Sequence, residues 1–377
     1  MRILVWGSYD TSKPRVRLLL EGLRSRGVIV GDVHADIWTG VRDKGTLSTR
    51  QVLGAGFRWL RALPWLAWKY VTAPAHDIVL VPYLGLFDVL VLAPFALWRR
   101  KPVYWDIFIS GYDTVVNDRR LLRRRHPLAL ALYTLEWLAS RFATRSFLDT
   151  RAHANRFEKL MHLSAGSIGA VPLGTDTTLF SSPAIPRRIH CPLRAFFYGQ
   201  FIPLHGIETI VRAACILERD GVPVTWELAG VGQESDRTAS LIASLQLHSV
   251  HLLGWLDAST LPAKLRAADV GLGIFGTSGK AMTVVPNKVF EMAATQTPLI
   301  CGDSPAMREF AAAHPWIRLV HPGSPEALAE TVRELATLPR WPDAPPMPTI
   351  GPTQVADAFL AMLPPTNVEA LTSFQKV

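Results

Sequence analysis

Short runs of consecutive apolar residues alternate along the chain with longer stretches whose apolar positions recur every three to four residues. RILVW (2–6) precedes RVRLLLEGLRSRG (15–27), DIVLVPY (77–83) precedes VLVLAPFALWRR (89–100), and PVYWDIF (102–108) and RSFLDT (145–150) come after them. The apolar runs suit strands and the intervening periodicity suits helices, so the pattern predicts an α/β fold with a parallel sheet covered by helices. A second series starts at LRAFFYG (193–199) and continues through GIETIVRAACILERDG, TWELAG, HSVHLLG and VGLGIF to PLICG (298–302). Two sheets of this kind predict two similar domains.

Between them SSPAIPRRIHCPLR (181–194) carries neither period and is rich in proline, which marks a linker. The expected organisation is an N-terminal domain over 1–182, a linker over 183–194, a C-terminal domain over 195–345, and a final helix and tail over 346–377. A chain of 377 residues fits two domains, and with 49% hydrophobic residues it can bury a core in each. The segment IVLVPYLGLFDVLVLAPFALW (78–98) is apolar enough to suggest a membrane span, but Pro82, Gly85, Asp88 and Pro94 divide it into a strand, a turn and a helix. MRILVWGSYD reads as a strand ended by Gly-Ser rather than a signal peptide. Cys191, Cys215 and Cys301 show no metal or redox spacing, so the expected compartment is the reducing cytoplasm. A net charge of +9 implies anionic partners: nucleic acid, an acidic membrane surface or phosphorylated small molecules.

Candidate chemistry clusters in VVPNKVFEMAATQTPLICGDSP (284–305). Pro286 and Asn287 suit a helix start, Val289, Met292 and Ala293 suit its core face, and Lys288 and Glu291 share another face. Helix amides and Lys288 can hold a diphosphate while Glu291 accepts from ribose hydroxyls; the plainer reading is a capped helix with an exposed ion pair. A second anion site is offered by FFYGQFIPLHGIETI (196–210), where a strand ends at Gly199, a helix begins near Gly206, and Gln200 and His205 add side-chain donors. At the N-terminus GSYDTSKPRVRLLL (7–20) brings Gly7, Ser8, Thr11, Lys13, Arg15 and Arg17 to the first helix start, a turn suited to a second substrate or to ordinary capping. There is no Walker loop, zincin motif, nucleophile elbow or Asp-x-Asp pair, so a departing diphosphate must be stabilised by protein cations and amides.

The order and spacing of these segments resemble the GT-B glycosyltransferases of family 4, the retaining nucleotide-sugar transferases. The resemblance runs from WGSYDTSKPRVRLLLEGL through KPVYWDIFISGYDTVVNDR, RSFLDTRAHANRF, VPLGTDTTLF, WELAGVGQE and HLLGWLDASTLPAKLRAADVGLGIF to PNKVFEMAATQTPLI. It implies two Rossmann-like domains with parallel sheets facing across a cleft, the donor on the C-terminal domain, the acceptor on the N-terminal one, and a C-terminal helix crossing back. The donor set carried over is Gly199, Gln200, His205, Lys280, Asn287, Lys288 and Glu291; the acceptor-side set is Gly7, Ser8, Lys13 and Arg15; Asp106, at the end of PVYWD, is the candidate catalytic residue. Thr283 stands where the family places the first of two glutamates. Gln200 and His205 replace its arginine and lysine, which leaves Lys280, Lys288 and helix amides as substitutes. The implied reaction needs no covalent nucleophile: the diphosphate leaves while the acceptor attacks from the same face, so catalysis rests on positioning and charge stabilisation.

GFRWLRALPWLAWKYV (56–71) interleaves Trp59, Trp65, Trp68 and Tyr70 with Arg58, Arg61 and Lys69, a pattern for a membrane interface or for a core helix with snorkelling cations. DRRLLRRRHP (118–127) adds Arg119, Arg120, Arg123, Arg124 and Arg125, suited to a lipid diphosphate or to solvent, and no nucleic-acid module is present. Together these features predict a metal-independent glycosyltransferase without a cofactor, peripherally bound at the cytoplasmic face of the cell membrane. It would move a sugar, from a UDP-sugar by family frequency, to a lipid-linked or saccharide acceptor in cell-envelope or exopolysaccharide synthesis. The alternatives are a nucleotide-sugar epimerase or hydrolase of the same fold, and a non-catalytic nucleotide-sugar-binding scaffold.

Overall fold

The computed structural model describes residues 1–38, 49–119, 121–181, 189–339, 341 and 346–364, with side chains from 54 onward in the helix that begins at 49. The chain divides into two units, one formed by residues 1–173 with the segment from 351 onward, the other by 174–350. Of the expected linker 183–194, residues 183–188 lie outside the described residues. The remainder of that linker belongs to the second unit: the Ile189 amide donates to the Pro339 carbonyl (3.2 Å), and the His190 ring nitrogen Nδ1 lies 2.7 Å from an Asp269 oxygen. A proline-rich stretch can therefore be well anchored, because its side chains and remaining amides find partners at long range.

In the first unit the elements are β1 (Arg2–Gly7), α1 (Pro14–Ser25), β2 (Ile29–His34), α2 (Thr49–Val71), β3 (Ile78–Val81) and α3 (Leu86–Trp98). They continue with β4 (Val103–Asp106), α4 (Pro127–Phe142), β5 (Arg145–Leu148), α5 (Arg151–Leu160) and β6 (Ile168–Ala170). In the second, β7 (Leu193–Tyr198), α6 (Ile207–Arg219), β8 (Val224–Ala229), α7 (Ser235–Ser244), β9 (Val250–Gly254) and α8 (Leu261–Ala267) come first. Next are β10 (Val270–Leu272), α9 (Asn287–Ala294), β11 (Leu299–Gly302), α10 (Pro305–Ala311), β12 (Ile317–Val320) and α11 (Pro325–Ala336). The last helix, α12 (Pro352–Leu360), returns to the first unit.

Each sheet has six parallel strands, ordered β2-β1-β3-β4-β5-β6 and β12-β11-β10-β7-β8-β9. Strands such as β3, buried at all four positions, explain the unbroken apolar runs: helices cover both faces. The segment 78–98 is strand, turn and helix as its breaks predict, and among the described residues no helix is long and apolar enough to cross a membrane.

The strand order of each sheet reverses once, between β1 and β3 in the first unit and between β7 and β10 in the second. At such a point the loops leaving neighbouring strands diverge and open a crevice at the strands' C-terminal ends. These two crevices receive most of the candidate residues.

The C-terminal helix seals the back of the first unit. Gly22 of α1 lets it approach closely, since a Cβ there would come within 1.8 Å of the Pro352 carbonyl oxygen. Phe359 packs edge-on against Tyr104 and Phe147, and Arg26 pairs with Asp357.

Candidate functional site

The crevice of the second unit starts where β7 ends. Gly199 (φ +140°) and Gly206 (φ +63°) adopt backbone conformations that side chains disfavour, and between them a single 3-10 turn over Pro203–His205 leads into α6. The turn docks on the segment that follows β10: the Phe275 amide donates to the His205 carbonyl at 3.0 Å. A Cβ on Gly206 would strike Phe275 and Gly276 backbone at 2.6–2.7 Å, so glycine is needed for space as well as for conformation.

Opposite this turn, α9 begins. Pro286 is extended (φ −71°, ψ 152°) and stands at the cap, so Asn287 is the first helical residue, exposed and making no capping bond. The expected side-chain cap is replaced by a helix start that no side chain covers. Val289, Met292 and Ala293 are buried as the periodicity predicts.

Lys288 and Glu291 are not an exposed ion pair. Lys288 is buried, and its Nζ has no hydrogen-bond partner. The ammonium sits 3.6 Å from the centre of the Phe197 ring, in the space left by the missing side chain of Gly199. Burial lowers its pKa to about 7, against weaker opposing effects of Cys301 and Glu291. Glu291 instead accepts a hydrogen bond from the Tyr198 hydroxyl, and burial raises its pKa while Tyr198 and Lys288 pull it back. Tyr198, the last residue of β7, is a partner that sequence reasoning missed; its position directly before Gly199 was the available signal.

His205 and Gln200 take a different role from the expected side-chain donors. Burial, reinforced by Lys288, holds the His205 pKa well below its usual value, so the ring is neutral. Its Nδ1–H donates to the Gln200 carbonyl, which leaves Nε2 as a lone-pair acceptor until the ring takes up a proton. Gln200 therefore contributes its backbone here. Lys280 is half-buried in the turn that precedes α9. The Thr283 hydroxyl donates to the Lys280 carbonyl (3.0 Å), so Thr283 closes that turn.

In the first unit the N-terminal turn is held from below. The Ser8 amide and hydroxyl donate to Asp88 at 2.7 and 2.9 Å, and Trp59 Nε1–H donates to the same carboxylate at 2.7 Å. Gly7 is needed beside this group, since a Cβ would lie 2.5 Å from an Asp88 oxygen. Asp88 is buried, and burial raises its pKa against these donors. Ser8, expected to face a substrate, is consumed by a carboxylate eighty residues away that reads in the sequence only as a helix-breaking signal.

Arg15 and Asp106 form a buried bidentate pair at 2.8 and 3.0 Å, and Arg15 also donates to the Val171 and Pro172 carbonyls. Burial raises the Asp106 pKa, against the attraction of Arg15. Neither side chain is available as a free acid, base or cation in this arrangement: an acceptor-side residue and the catalytic candidate have become one structural unit. Lys13 precedes α1 and is half-buried.

The expected membrane-facing segment is part of one helix, α2. Trp65 and Trp68 are exposed, with the Lys69 ammonium 5.9 and 5.2 Å from their rings. Tyr70 is buried, and Trp59 is turned inward on Asp88. Arg123, Arg124 and Arg125 are exposed, Arg119 is half-buried, and Arg120 lies outside the described residues. No group of three or more His, Cys, Asp or Glu converges on a metal position among the described residues.

Residues 192–337, all within the second unit, match the family model described as Glycosyl transferases group 1. A sucrose-phosphate synthase from Thermosynechococcus elongatus superposes with a TM-score of 0.66 at 16% identity, covering 100% of this chain and 97% of that one. Anabaena HepE, solved in complex with UDP, gives 0.61 at 16% identity over 96% of this chain and 94% of that one.

The chain has the GT-B glycosyltransferase fold.

An E. coli structure described as trehalose-6-phosphate bound with UDP-2-fluoro glucose shares this GT-B fold at a TM-score of 0.56 and 12% identity, over 99% and 96% of the two chains. No curated protein matches the chain in sequence. In GT-B terms the two crevices are the switch-point positions of the two sheets, and the second lies in the family-matched unit.

Proposed function

We propose that the protein transfers a sugar from a nucleotide diphosphate sugar to a lipid-linked or saccharide acceptor. The donor base is uridine, the anomeric configuration is retained, and no divalent ion takes part, as in the family 4 enzymes. The observation that carries the donor assignment is Lys288: a buried ammonium without a hydrogen-bond partner, in the first turn of a helix that no side chain caps. A buried charge without a partner is costly, and an arriving anion removes that cost. A diphosphate supplies the charge, and Glu291, held by Tyr198, accepts from the ribose hydroxyls. Uridine is supported by relatives of the fold that were solved with UDP and UDP-2-fluoro glucose.

In this reading Lys288 and the α9 amides stabilise charge on the leaving diphosphate. Asp106 is already committed to Arg15, so the acceptor proton passes to the leaving phosphate oxygens and no side-chain nucleophile is invoked. The exposed tryptophans and cations of α2 support docking on an anionic membrane surface, hence a role at the inner face of the cell membrane in envelope or exopolysaccharide synthesis.

The test is a screen of nucleoside diphosphates and their sugars for thermal stabilisation, followed by turnover with acceptor and assignment of the product anomer by NMR. Ligand at a hundredfold excess over its dissociation constant stabilises by about 2.7 kcal/mol, so a binder is easily read. UDP and one UDP-sugar are expected to raise the midpoint, and Glu291→Ala to reduce the shift. The donor assignment fails if no nucleoside diphosphate stabilises the chain, or if Lys288→Ala and Glu291→Ala leave the shift intact.

A further inference from the structure

In the crevice of the second unit the imidazole of His205 and the ammonium of Lys288 share the space beside Gly199. A Cβ on that glycine would lie 3.1 Å from His205 Cε1 and 3.1 Å from Lys288 Nζ. His205 is 8% exposed, and its ring packs edge-on against Phe197 at 5.6 Å. Its Nδ1–H is spent on the Gln200 carbonyl, and Nε2 makes no hydrogen bond among the described residues. A lone pair in so buried a ring costs free energy until a ligand supplies a donor.

Donor and acceptor capacity decide what fits this corner. Lys288 offers N–H groups and no lone pair, whereas the neutral imidazole offers a lone pair and no second N–H. Burial first, and then the neighbouring ammonium, keep the imidazole in that form. An ionised phosphate oxygen only accepts, so it satisfies the lysine and repels the His205 nitrogen. A hydroxyl does both, accepting from an ammonium while donating to the imidazole.

A nucleotide diphosphate sugar carries hydroxyls on both sides of its diphosphate, on the ribose and on the transferred sugar. Glu291 is the acceptor for the ribose, and Lys288 acts electrostatically on both Glu291 and His205. We propose that His205 Nε2 accepts a hydrogen bond from a hydroxyl of the transferred sugar, so that this residue selects the donor by its sugar and not by its phosphates. The assignment rests on the donor reading given above and concerns the other end of the same ligand.

The test titrates UDP, UDP-glucose, UDP-galactose and UDP-N-acetylglucosamine by calorimetry into the full native chain, His205→Phe and His205→Gln. Phenylalanine keeps a ring against Phe197 and removes the lone pair; glutamine returns an acceptor oxygen. The native chain is expected to bind UDP and at least one of the UDP-sugars. His205→Phe should weaken that UDP-sugar about three- to tenfold, the loss of one hydrogen bond, while UDP changes by less than about twofold. His205→Gln should recover most of the difference. Deoxyfluoro analogues of the same UDP-sugar locate the hydroxyl, because the analogue lacking it should bind the native chain and His205→Phe alike. His205→Ala gives the same comparison should the phenylalanine variant not fold, as judged by its thermal midpoint.

Equal weakening of UDP and the UDP-sugar, an unaltered UDP-sugar affinity in the variant, or binding of UDP with none of the three sugars overturns the proposal. UDP titrated into the native chain separates the two readings. Absence of UDP binding there strikes the donor reading itself, whereas UDP binding without a sugar-specific loss strikes only the role of His205.

Discussion

Replacing Lys288 by Met should stabilise the protein while removing its ability to hold a nucleotide. The lysine's pKa falls from 10.5 to about 7 in the folded chain. At 1.36 kcal/mol per unit this is a penalty of roughly 5 kcal/mol at neutral pH, an upper bound on what removing the charge returns. The methionine also forfeits the cation–π contact with Phe197, worth up to about 2 kcal/mol when desolvated. The net expectation is a gain of about 2 to 3 kcal/mol at pH 7.

The buried lysine also makes stability depend on pH. Because the folded pKa lies below the unfolded one, unfolding takes up a proton between pH ~7 and ~10.5: the unfolded state binds more protons than the native one, so the native chain's stability rises with pH across that window. Lys288→Met should abolish that slope. Nucleotide binding runs the other way: a bound diphosphate restores the lysine's ordinary pKa, so affinity should fall roughly fiftyfold from pH 7 to pH 9 in the native chain. The assays are urea unfolding across pH, followed at several probes because two units need not unfold together, and UDP titration over the same range. A variant that is less stable than the native chain and still binds UDP with the native pH profile would refute the reasoning.

Three further outcomes are expected. Asp106→Asn breaks a buried pair and should cost about 3 to 5 kcal/mol of stability in the first unit, read by denaturant midpoint, with UDP affinity retained; native stability with abolished turnover would instead make Asp106 chemical. Tyr198→Phe removes a donor that pulls the Glu291 pKa down, so UDP affinity should fall about five- to tenfold and the acid limb of the binding profile should move to higher pH. Trp65→Ala with Trp68→Ala should weaken co-sedimentation with phosphatidylglycerol vesicles at least fivefold and leave UDP binding unchanged, the native interaction itself fading as salt is raised.

The parts of the fold that could be read from the chain are those encoded locally. The apolar runs of β1, β3 and β7 and the periodicity of α1 and α6 declare themselves within a dozen residues, and their order leads to parallel sheets. The pairing of Lys288 with Glu291 was legible for the same reason, since the two are neighbours on one short helix. Burial of the lysine was not, because it depends on Phe197 and Gly199 arriving from a strand far away in sequence. Asp106 and Arg15 each read as a chemical group standing alone; only the sheet brings them together across ninety-one positions. Asp88 and Ser8 meet in the same way. His205 illustrates another limit: its residue type suggests a donor, but which nitrogen holds the proton is decided by the Gln200 carbonyl.

The last helix gives the two units different histories during synthesis. Residues 174–350 form an uninterrupted unit, whereas the seat of α12, Gly22 of α1 for Pro352 and Tyr104 and Phe147 for Phe359, stays open until the intervening chain has been made. At ~5–20 residues per second that interval lasts roughly ten to thirty-five seconds. Throughout it a nascent chain presents an apolar seam to the surrounding chaperones, and a ribosome stalled before codon 352 would release a well-folded rear half joined to a front half still unsealed.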